Sequence, residues 1–285
     1  MNRKAPKILE VKTPKGLGVP LIVDAPHSGT LLPEDFHFNC SLADLRQSDE
    51  FYVDRFGEKV TRHGGTFLRA LISRAYIDLN RSVGDLHPSI CSETIPWPLT
   101  RSKRVNYGIG LIRHLIRPNE PVYQTPLTLA EIEHRIRFYY EPYYDVLGQT
   151  MAQMRQDFGR VLHINLHAMP SIGADSKMMP DVVLGDHDGH SCARAYRDMT
   201  KKVFEQNGFK VVVNDPYKGV ELTRRFAKPR QGFHSLQIEV NKALYMNEDT
   251  LAVTNDMAEM LRTFDDVWAS LSGMLADADM AHAAE

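Results

Sequence analysis

The sequence has little of several features that would assign a protein to a class at once. Its three cysteines are odd in number and widely spaced without a CxxC pair, which argues against a disulfide framework. We therefore interpret them as small buried hydrophobes and expect a reducing, cytoplasmic location. No apolar run reaches the roughly 18 residues of a membrane span, and no apolar core follows the charged start. We expect neither a transmembrane segment nor a signal peptide.

An excess of charge of one sign is also missing. The formal net charge of the 285 residues is −2, and no basic stripe stands out, so we expect no nucleic-acid partner. Hydrophobic residues make up 43% and charged residues 25%, which is ordinary for a globular protein. We predict a single domain over residues 1–285, in which residues 276–285 form a frayed tail.

What is present is an alternation of strand-like and helix-like segments. This alternation predicts an α/β fold with a mostly parallel or mixed sheet that is covered on both faces. The predicted strands are Val19–Val23, Thr66–Leu79, Val161–Leu166, Val182–Leu184, Phe209–Val213 and Leu236–Val240. The predicted helices are Leu42–Arg62, Leu129–Phe158, His190–Asn207 and Asn247–Leu275.

Two local signals mark helix ends, and one segment lacks any period. Thr128 and Glu131 have the spacing of a capping box at the start of the central helix, and Gly208 is a helix stop. Residues 84–124 are rich in Pro, Ser, Gly and Arg and are predicted to form a long loop near the active site.

Two histidines follow predicted strands directly, where ligands of α/β proteins bind. His27 lies between Pro26 and Gly29 after the first strand, and His167 follows the strand that begins at Val161. Either one alone could be a turn histidine bonded to backbone, but two together favour a metal site. His163 shares the strand parity of His167 and is interpreted as sheet packing or as a partner behind a ligand.

A hydrolytic zinc site has two nitrogen ligands, one carboxylate and an open position for water. The carboxylate could come from Asp49, Glu50 or Asp54. On a continuous helix Glu50 and Asp54 share a face, whereas Asp49 falls near the apolar stripe. Periodicity alone does not choose among the three acids.

Two further patterns complete the chemical inventory. Asn80 and Arg81 close the apolar run that begins at Thr66, and such a planar fork of donors matches a carboxylate. Glu239 occurs in the last predicted strand, where a buried glutamate is costly unless it is paired or catalytic. A glutamate beside a zinc-bound water is a usual general base for amide hydrolysis.

Several short motifs, in their order along the chain, resemble those of the N-formylglutamate amidohydrolase family. The resemblance runs over residues 19–245, and the number and order of the motifs carry it. The motifs are Pro26–Gly29, Arg46–Phe56, Arg74 with Asp78–Arg81, Leu166–His167, Val183–Asp186, Leu222–Arg224 and His234–Asn241.

The family is similar in fold to zinc carboxypeptidases and aspartoacylase. The resemblance thus implies a three-layer α/β/α sandwich around a mixed, mostly parallel sheet, the phosphorylase/hydrolase-like fold. It implies that His27 and His167 bind one Zn²⁺ per chain, with other divalent metals as alternatives. The acidic position of the family falls on Glu50, our third ligand, with Asp49 as its rival. Family members carry Asp at this position, so Glu50 is a departure.

The same resemblance assigns the remaining roles. Glu239 aligns with the catalytic glutamate of the zinc carboxypeptidases and becomes the general base and acid, while Arg74 stabilises the oxyanion. Asn80 and Arg81 would hold the α-carboxylate of an amino acid, and Arg113 or Arg224 a side-chain carboxylate. His234, in the last motif, is a further substrate-binding candidate.

The implied reaction is hydrolysis of N-formyl-L-glutamate to formate and L-glutamate, for which histidine degradation is the usual setting. Residues 82–124 match the family poorly and are expected to line the pocket. The resemblance therefore supports the type of reaction more strongly than the particular substrate. The alternatives are a zinc deacylase or carboxypeptidase for another N-acyl amino acid, and a non-catalytic binding protein of the same fold. We expect a small acidic N-acyl amino acid as substrate, no membrane partner, and a monomer or homodimer.

Overall fold

The computed structural model describes residues 7–173 and 176–283, and its elements confirm the predicted α/β fold. The strands are β1 (Leu9–Lys12), β2 (Leu21–Ala25), β3 (Thr66–Ala70), β4 (Leu115–Arg117), β5 (Glu120–Pro121), β6 (Val161–Met169), β7 (Val182–Gly185), β8 (Val211–Val213) and β9 (Phe233–Asn241). The α-helices are α1 (Leu42–Arg46), α2 (Val53–Gly57), α3 (Lys103–Asn106), α4 (Leu129–Arg135), α5 (Glu141–Phe158), α6 (Arg194–Gln206), α7 (Glu221–Phe226) and α8 (Met257–Ala283). Short 3₁₀ helices occur at Glu58–His63, Pro88–Ile90, Pro229–Gln231 and Lys242–Leu244, and a π-helical turn at Ile136–Tyr140.

Within the described residues, seven strands form one sheet in the order β1-β3-β2-β6-β9-β7-β8, and β4 pairs with β5 separately. The pairs β2–β6, β6–β9 and β7–β8 are parallel, whereas β7 and β9 are antiparallel. The sheet is therefore mixed and mostly parallel, as the sequence predicts. None of the helices in the described part of the chain is long and apolar enough to cross a membrane.

The chain divides into two compact units, each built from several segments. Unit 1 comprises Met1–Glu10, Pro26–Asp49 and Arg69–Leu147, and unit 2 comprises Val11–Ala25, Glu50–Leu68 and Gly148–Glu285. The single domain predicted for residues 1–285 thus contains two such units, and their division does not follow one boundary along the sequence.

Unit 2 contains β2, β6, β9, β7 and β8, and the two faces of its sheet differ in chemistry. On β9, Leu236, Ile238 and Val240 alternate with Gln237 and Glu239, so opposite faces are apolar and polar. The apolar face packs in one hydrophobic core with residues of α2, α6 and α8. On the polar face, Phe226 of α7 lies against His163, with ring centroids 6.4 Å apart.

Unit 1 is organised around a buried cation in an aromatic cluster. The guanidinium of Arg135 on α4 lies 4.1 Å from the ring centroid of Tyr76 and 5.4 Å from those of Phe36 and Tyr123. It also donates hydrogen bonds to the Tyr76 carbonyl and the Tyr123 hydroxyl. The predicted capping box at Thr128, which opens α4, is present.

Two predicted elements near the candidate site are interrupted or end early in the structure. The helix predicted over 42–62 is interrupted, since α1 ends at Arg46 and Tyr52, with a φ of 67° that a helix does not allow, directly precedes α2. The strand predicted over 66–79 ends at Ala70, and the segment that follows folds into turns. The Asn80-Arg81 fork therefore lies in a turn and not at the end of a strand, and Glu50 lies outside any helix.

Three further boundaries differ. The helix predicted over 129–158 contains the π-helical turn, and the helix predicted from Asn247 begins at Met257. Helix α8 continues through residues 276–283, where the sequence analysis expects a frayed tail, and residues 284–285 lie outside the described residues. The sequence does not predict the short strands β1, β4 and β5. The predicted stop at Gly208, with a φ of 88°, directly follows the end of α6.

Candidate active site

His27, which follows β2, is held by a carboxylate that also binds an arginine. Its Nε2 lies 2.6 Å from Oδ1 of Asp78, and Nη2 of Arg74 donates to Oδ2 of the same carboxylate at 2.7 Å. Burial acts to raise the pKa of Asp78, but the charges of Arg74, His27 and Arg81 outweigh it and hold the pKa well below its usual range. Asp78 is thus an ionised carboxylate that fixes the ring of His27.

Glu50 and His167 meet at the end of β6. Oε2 of Glu50 accepts the backbone N–H of Ala168 at 3.0 Å and lies 3.0 Å from Nδ1 of His167. Glu50 lies in the non-helical stretch between α1 and α2, two residues before the left-handed Tyr52. Both side chains are buried, with exposed fractions of 4% for Glu50 and 2% for His167.

His27, Glu50 and His167 form a buried group that could bind a metal ion, since each offers a ligand atom within 4.8 Å of the others. The donor set of two imidazoles and one carboxylate is that of hydrolytic zinc sites. On His167, Nε2 is bonded to Oδ1 of Asn165 at 2.8 Å, which turns Nδ1 toward the Glu50 carboxylate. When this ring is neutral and its Nε2 carries the proton, Nδ1 of His167 and the carboxylate of Glu50 are two acceptors that face each other. A cation between them stabilises this arrangement.

Glu239 lies beside His167 on the neighbouring strand. The parallel register pairs His167 of β6 with Glu239 of β9, so both side chains project from the same face of the sheet. Oε1 of Glu239 accepts a hydrogen bond from Nε2 of Gln237 at 2.8 Å. Burial, together with the carboxylates of Glu50, Glu248 and Glu239, raises the pKa of Tyr245 well above its ordinary value. Glu50 and Glu239 therefore lie near the same phenol.

The other two acids considered as ligands are placed differently. Oδ1 of Asp49 accepts from the hydroxyl of Ser73 at 2.7 Å, and Oδ2 accepts from Arg46 at 3.2 Å. Burial raises the pKa of Asp49, although Ser73 and Arg46 act in the opposite direction. Asp54 lies on α2 and is half-buried. Of the three acids, the structure groups Glu50 with the two histidines.

Asn80 and Arg81 occupy a buried turn after Asp78. Arg81 is 7% exposed, its Nη1 donates to the carbonyl of Asn80 at 3.0 Å, and its Nε is buried without a hydrogen-bond acceptor among the described residues. Burial lowers the pKa of Arg81, and Asp78 acts against this shift. A buried guanidinium nitrogen without an acceptor is a position that a carboxylate ligand would satisfy.

The remaining arginine candidates differ in their surroundings. Arg113 donates from Nε and Nη2 to the carbonyls of Leu115 and Ile116, and burial followed by the charge of Arg74 lowers its pKa to about 10. Arg224 lies on the short helix α7, where its exposed side chain forms an ion pair with Glu221.

His234 lies apart from the other candidates. Its Nδ1 accepts the backbone N–H of Ala193 at 3.3 Å, and its ring packs on Tyr196 with centroids 5.2 Å apart. It shares the strand parity of Leu236, on the apolar face, and precedes Glu239 by five residues, about 16 Å along β9. The structure therefore does not bring His234 to the polar face that carries Glu239.

Two polar residues behind His167 were not singled out from the sequence. Asn165 supports the ring of His167, and Asp24 of β2 accepts a hydrogen bond from Nδ2 of Asn165 at 2.8 Å. Oδ1 of Asp24 also lies 2.8 Å from Nε2 of His163, and all three residues are fully buried. The available signal was strand parity, since His163, Asn165 and His167 alternate with apolar residues.

Comparison with known proteins places this geometry in a family. The family model for N-formylglutamate amidohydrolase matches residues 19–246. A curated N-formylglutamate deformylase of Pseudomonas aeruginosa is 27% identical over 252 residues, which cover 86% of this chain and 89% of that protein. The corresponding protein of Pseudomonas putida is 25% identical over 253 residues, covering 85% and 87%.

Solved structures agree with the sequence comparisons. The crystal structure of N-formylglutamate amidohydrolase from Ralstonia eutropha JMP134 has a TM-score of 0.91 and 34% identity, and the match covers 95% of this chain and 99% of that one. A protein from Agrobacterium tumefaciens shares the fold, with a TM-score of 0.69 and 16% identity over 96% of this chain and 97% of that one. The sequence match and the fold are those of a family of hydrolases. The chain belongs to the N-formylglutamate amidohydrolase family.

Proposed function

We propose that this protein is a zinc-dependent amidohydrolase that cleaves N-formyl-L-glutamate to formate and L-glutamate. The observation that supports it most is the buried group of His27, Glu50 and His167, with Glu239 in register beside His167. Family membership supports the formyl amide as the bond that is cut. The setting proposed is histidine degradation in the cytoplasm, to which the free cysteines are suited.

A Zn²⁺ ion on these three residues would supply a water of lowered pKa and polarise the substrate carbonyl. Glu239 would take the proton of the attacking water as the water oxygen bonds to the formyl carbon. Arg74 donates to the oxyanion that forms on the formyl oxygen, while Asp78 keeps the guanidinium in place. The C–N bond then breaks, and Glu239 returns the proton to the leaving nitrogen, which gives formate and a free amino group.

Substrate binding is assigned to the cationic turn that follows Asp78. Asn80 and Arg81 hold the α-carboxylate, for which the buried Nε of Arg81 supplies a donor. The side-chain carboxylate is assigned to Arg113, with Arg224 as the second candidate. Arg113 is favoured because the charges of Arg74 and Asp78 act on it, whereas Arg224 is paired with Glu221.

The test is formate release from N-formyl-L-glutamate by the purified protein, before and after removal of metal with a chelator. We expect one zinc per chain, loss of turnover after chelation, and recovery when zinc is returned. Turnover that persists in metal-free protein would contradict the zinc mechanism. Matched reactions with N-acetyl-L-glutamate and N-formyl-L-leucine, followed by release of the free amino acid, test the acyl group and the amino acid separately. Faster amino-acid release from either compound would identify a different substrate.

A further inference from the structure

Two amide side chains lie one step before the candidate ligand and the candidate base on the polar face of the sheet. The register of β6 and β9 pairs Asn165 with Gln237 and His167 with Glu239. Each amide bonds the functional group two residues later on its own strand: Asn165 to His167, and Gln237 to Glu239, both at 2.8 Å. Asn165 and Gln237, which we term the amide row, are fully buried.

Asn165 is oriented by a residue that can only accept. Oδ1 of Asp24 lies 2.8 Å from Nδ2 of Asn165, and a carboxylate accepts hydrogen bonds without donating them. The amide oxygen of Asn165 must therefore face Nε2 of His167, so this nitrogen carries the proton. The lone pair of a neutral His167 is then on Nδ1, the atom that faces Glu50.

Gln237 is oriented the other way: Asn165 presents an acceptor to its neighbour, whereas Gln237 presents a donor. Its amide nitrogen donates to Glu239, while its Oε1 is buried without a donor among the described residues. An unsatisfied buried acceptor is unfavourable, and an apolar side chain would avoid this cost. The neighbouring strand position is also crowded, since a Cβ on Gly185, the register partner of Gln237 on β7, would lie 2.7 Å from the nitrogen of Gly219. The hydrogen bond to Glu239 is therefore the contact that can explain why residue 237 is an amide and not an apolar side chain.

We propose that the amide row positions the two functional groups by opposite hydrogen bonds. Asn165, held by Asp24, presents an acceptor that fixes the tautomer and ring orientation of His167 as a metal ligand. Gln237 presents a donor that fixes the carboxylate of Glu239 as the base. This inference rests on the proposed function, and it predicts that the two amides affect different measurable steps.

The test measures zinc affinity and steady-state kinetics on the same variants of the full chain. In Asn165→Ala the affinity for zinc, measured by competition with a chromogenic chelator, should fall about 10- to 100-fold, as for other residues that support metal-binding histidines. In Gln237→Met zinc affinity should stay within about twofold, while kcat should fall about 10- to 100-fold with little change in KM. Ser272→Ala, which removes a buried hydroxyl on α8, is the matched control.

Ser272 is a suitable control because it carries a buried hydroxyl on α8, away from β6 and β9. Its removal should change neither zinc affinity nor kcat. Equal zinc affinity in Asn165→Ala and the unaltered protein would overturn the proposal. A loss of zinc affinity in Gln237→Met as large as that in Asn165→Ala would overturn it as well, because both amides would then act only on the stability of the sheet.

A polarity exchange keeps the test informative if Asn165→Ala does not fold. Asn165→Asp alone sets two carboxylates against each other and should weaken zinc binding, whereas Asp24→Asn combined with Asn165→Asp restores a donor facing an acceptor. The double variant should bind zinc at least tenfold more tightly than Asn165→Asp, and an unchanged affinity would contradict the proposed role of Asn165 in the amide row. If the unaltered protein binds no zinc and releases no formate, the proposed function fails and this inference with it. If it does both and the variants match it, only the amide row fails.

Discussion

Asp78 shows how one carboxylate can organise two functional side chains. Its Oδ1 meets His27 and its Oδ2 meets Arg74, so a candidate metal ligand and the candidate oxyanion donor are held by opposite oxygens of one group. The backbone N–H of Asn80 adds a third contact at 2.9 Å, which joins this pair to the turn that carries Arg81. In the proposed mechanism, Asp78 would therefore couple the chemistry to substrate binding.

Glu239→Gln tests the general base directly. The change keeps shape and removes the group that takes the proton, so kcat for formate release should fall by a factor of about 10²–10⁴. Zinc content and substrate affinity, measured by metal analysis and calorimetry, should be nearly unchanged. Retention of more than about a tenth of kcat would exclude Glu239 as the base.

Arg81→Lys tests the guanidinium fork. A lysine keeps the charge but loses the planar pair of donors, so KM for N-formyl-L-glutamate should rise about 10-fold or more while kcat changes little. Arg230→Lys, at an exposed position after α7, is the matched control and should leave both constants unchanged. Equal KM values for the Arg81 variant and the unaltered protein would remove Arg81 from the substrate site.

At the residue scale the sequence was informative where a polar side chain follows or interrupts an apolar strand. His27, His167 and Glu239 stand out in this way, and the structure brings the two histidines together with Glu50. Their binding of zinc stays a prediction. Asn165 was overlooked because an amide within a strand looks like ordinary sheet packing until its partners, Asp24 and His167, are known.

At the scale of elements, β6, β9 and α6 were predictable because strand alternation and helix stops are local signals. The break between α1 and α2 was not, since it contains the left-handed Tyr52, whose hydroxyl bonds the distant carbonyl of Leu251 at 2.9 Å, a contact that no local signal reveals. The run after Ala70 was misassigned because its apolar residues are buried in turns, and an apolar run without period does not distinguish a strand from a buried turn.

Two tyrosines from the helical segment 136–158 support the turn that carries Arg81. The hydroxyl of Tyr140, in the π-helical turn, donates to the carbonyl of Arg81, and the hydroxyl of Tyr144 on α5 donates to that of Leu79, both at 2.9 Å. Tyr140→Phe and Tyr144→Phe should each lower the free energy of unfolding by about 1 kcal/mol in urea denaturation. Tyr140→Phe should also raise KM, and an unchanged KM would show that the turn is held by other contacts.

At the scale of the whole molecule, metal binding should stabilise the folded chain. A ligand that binds only the folded state adds RT ln(1 + [L]/Kd), about 2.7 kcal/mol at 100 times Kd. A chelator should therefore lower the Tm of the unaltered protein, and returned zinc should restore it. His167→Ala should show the lower Tm with or without chelator, and a chelator effect in this variant would contradict its assignment as a ligand.

Acid stability gives a second test at this scale. Burial acts to raise the pKa of Asp186, but hydrogen bonds from Asn214, Gly189 and Arg197 outweigh it, and the pKa is lowered. A carboxyl whose pKa is lower in the folded state stabilises the protein above its unfolded pKa of about 3.9, and this stabilisation is lost as pH falls through the folded value. Asp186→Asn should thus cost more stability at pH 7 than at pH 3 in denaturant titrations, and an equal cost would contradict the shift.

The register of β6 and β9 limits which mutations the protein can tolerate as its sequence evolves. Neighbouring strands lie about 4.8 Å apart whatever their side chains, so the separation of His167 and Glu239 is set by peptide hydrogen bonds. Substitutions in the core can accumulate without altering that separation. The loss or gain of one residue within either strand, in contrast, would send one of the two groups to the opposite face. These two strands should therefore tolerate substitutions of core residues but not the insertion or deletion of a residue.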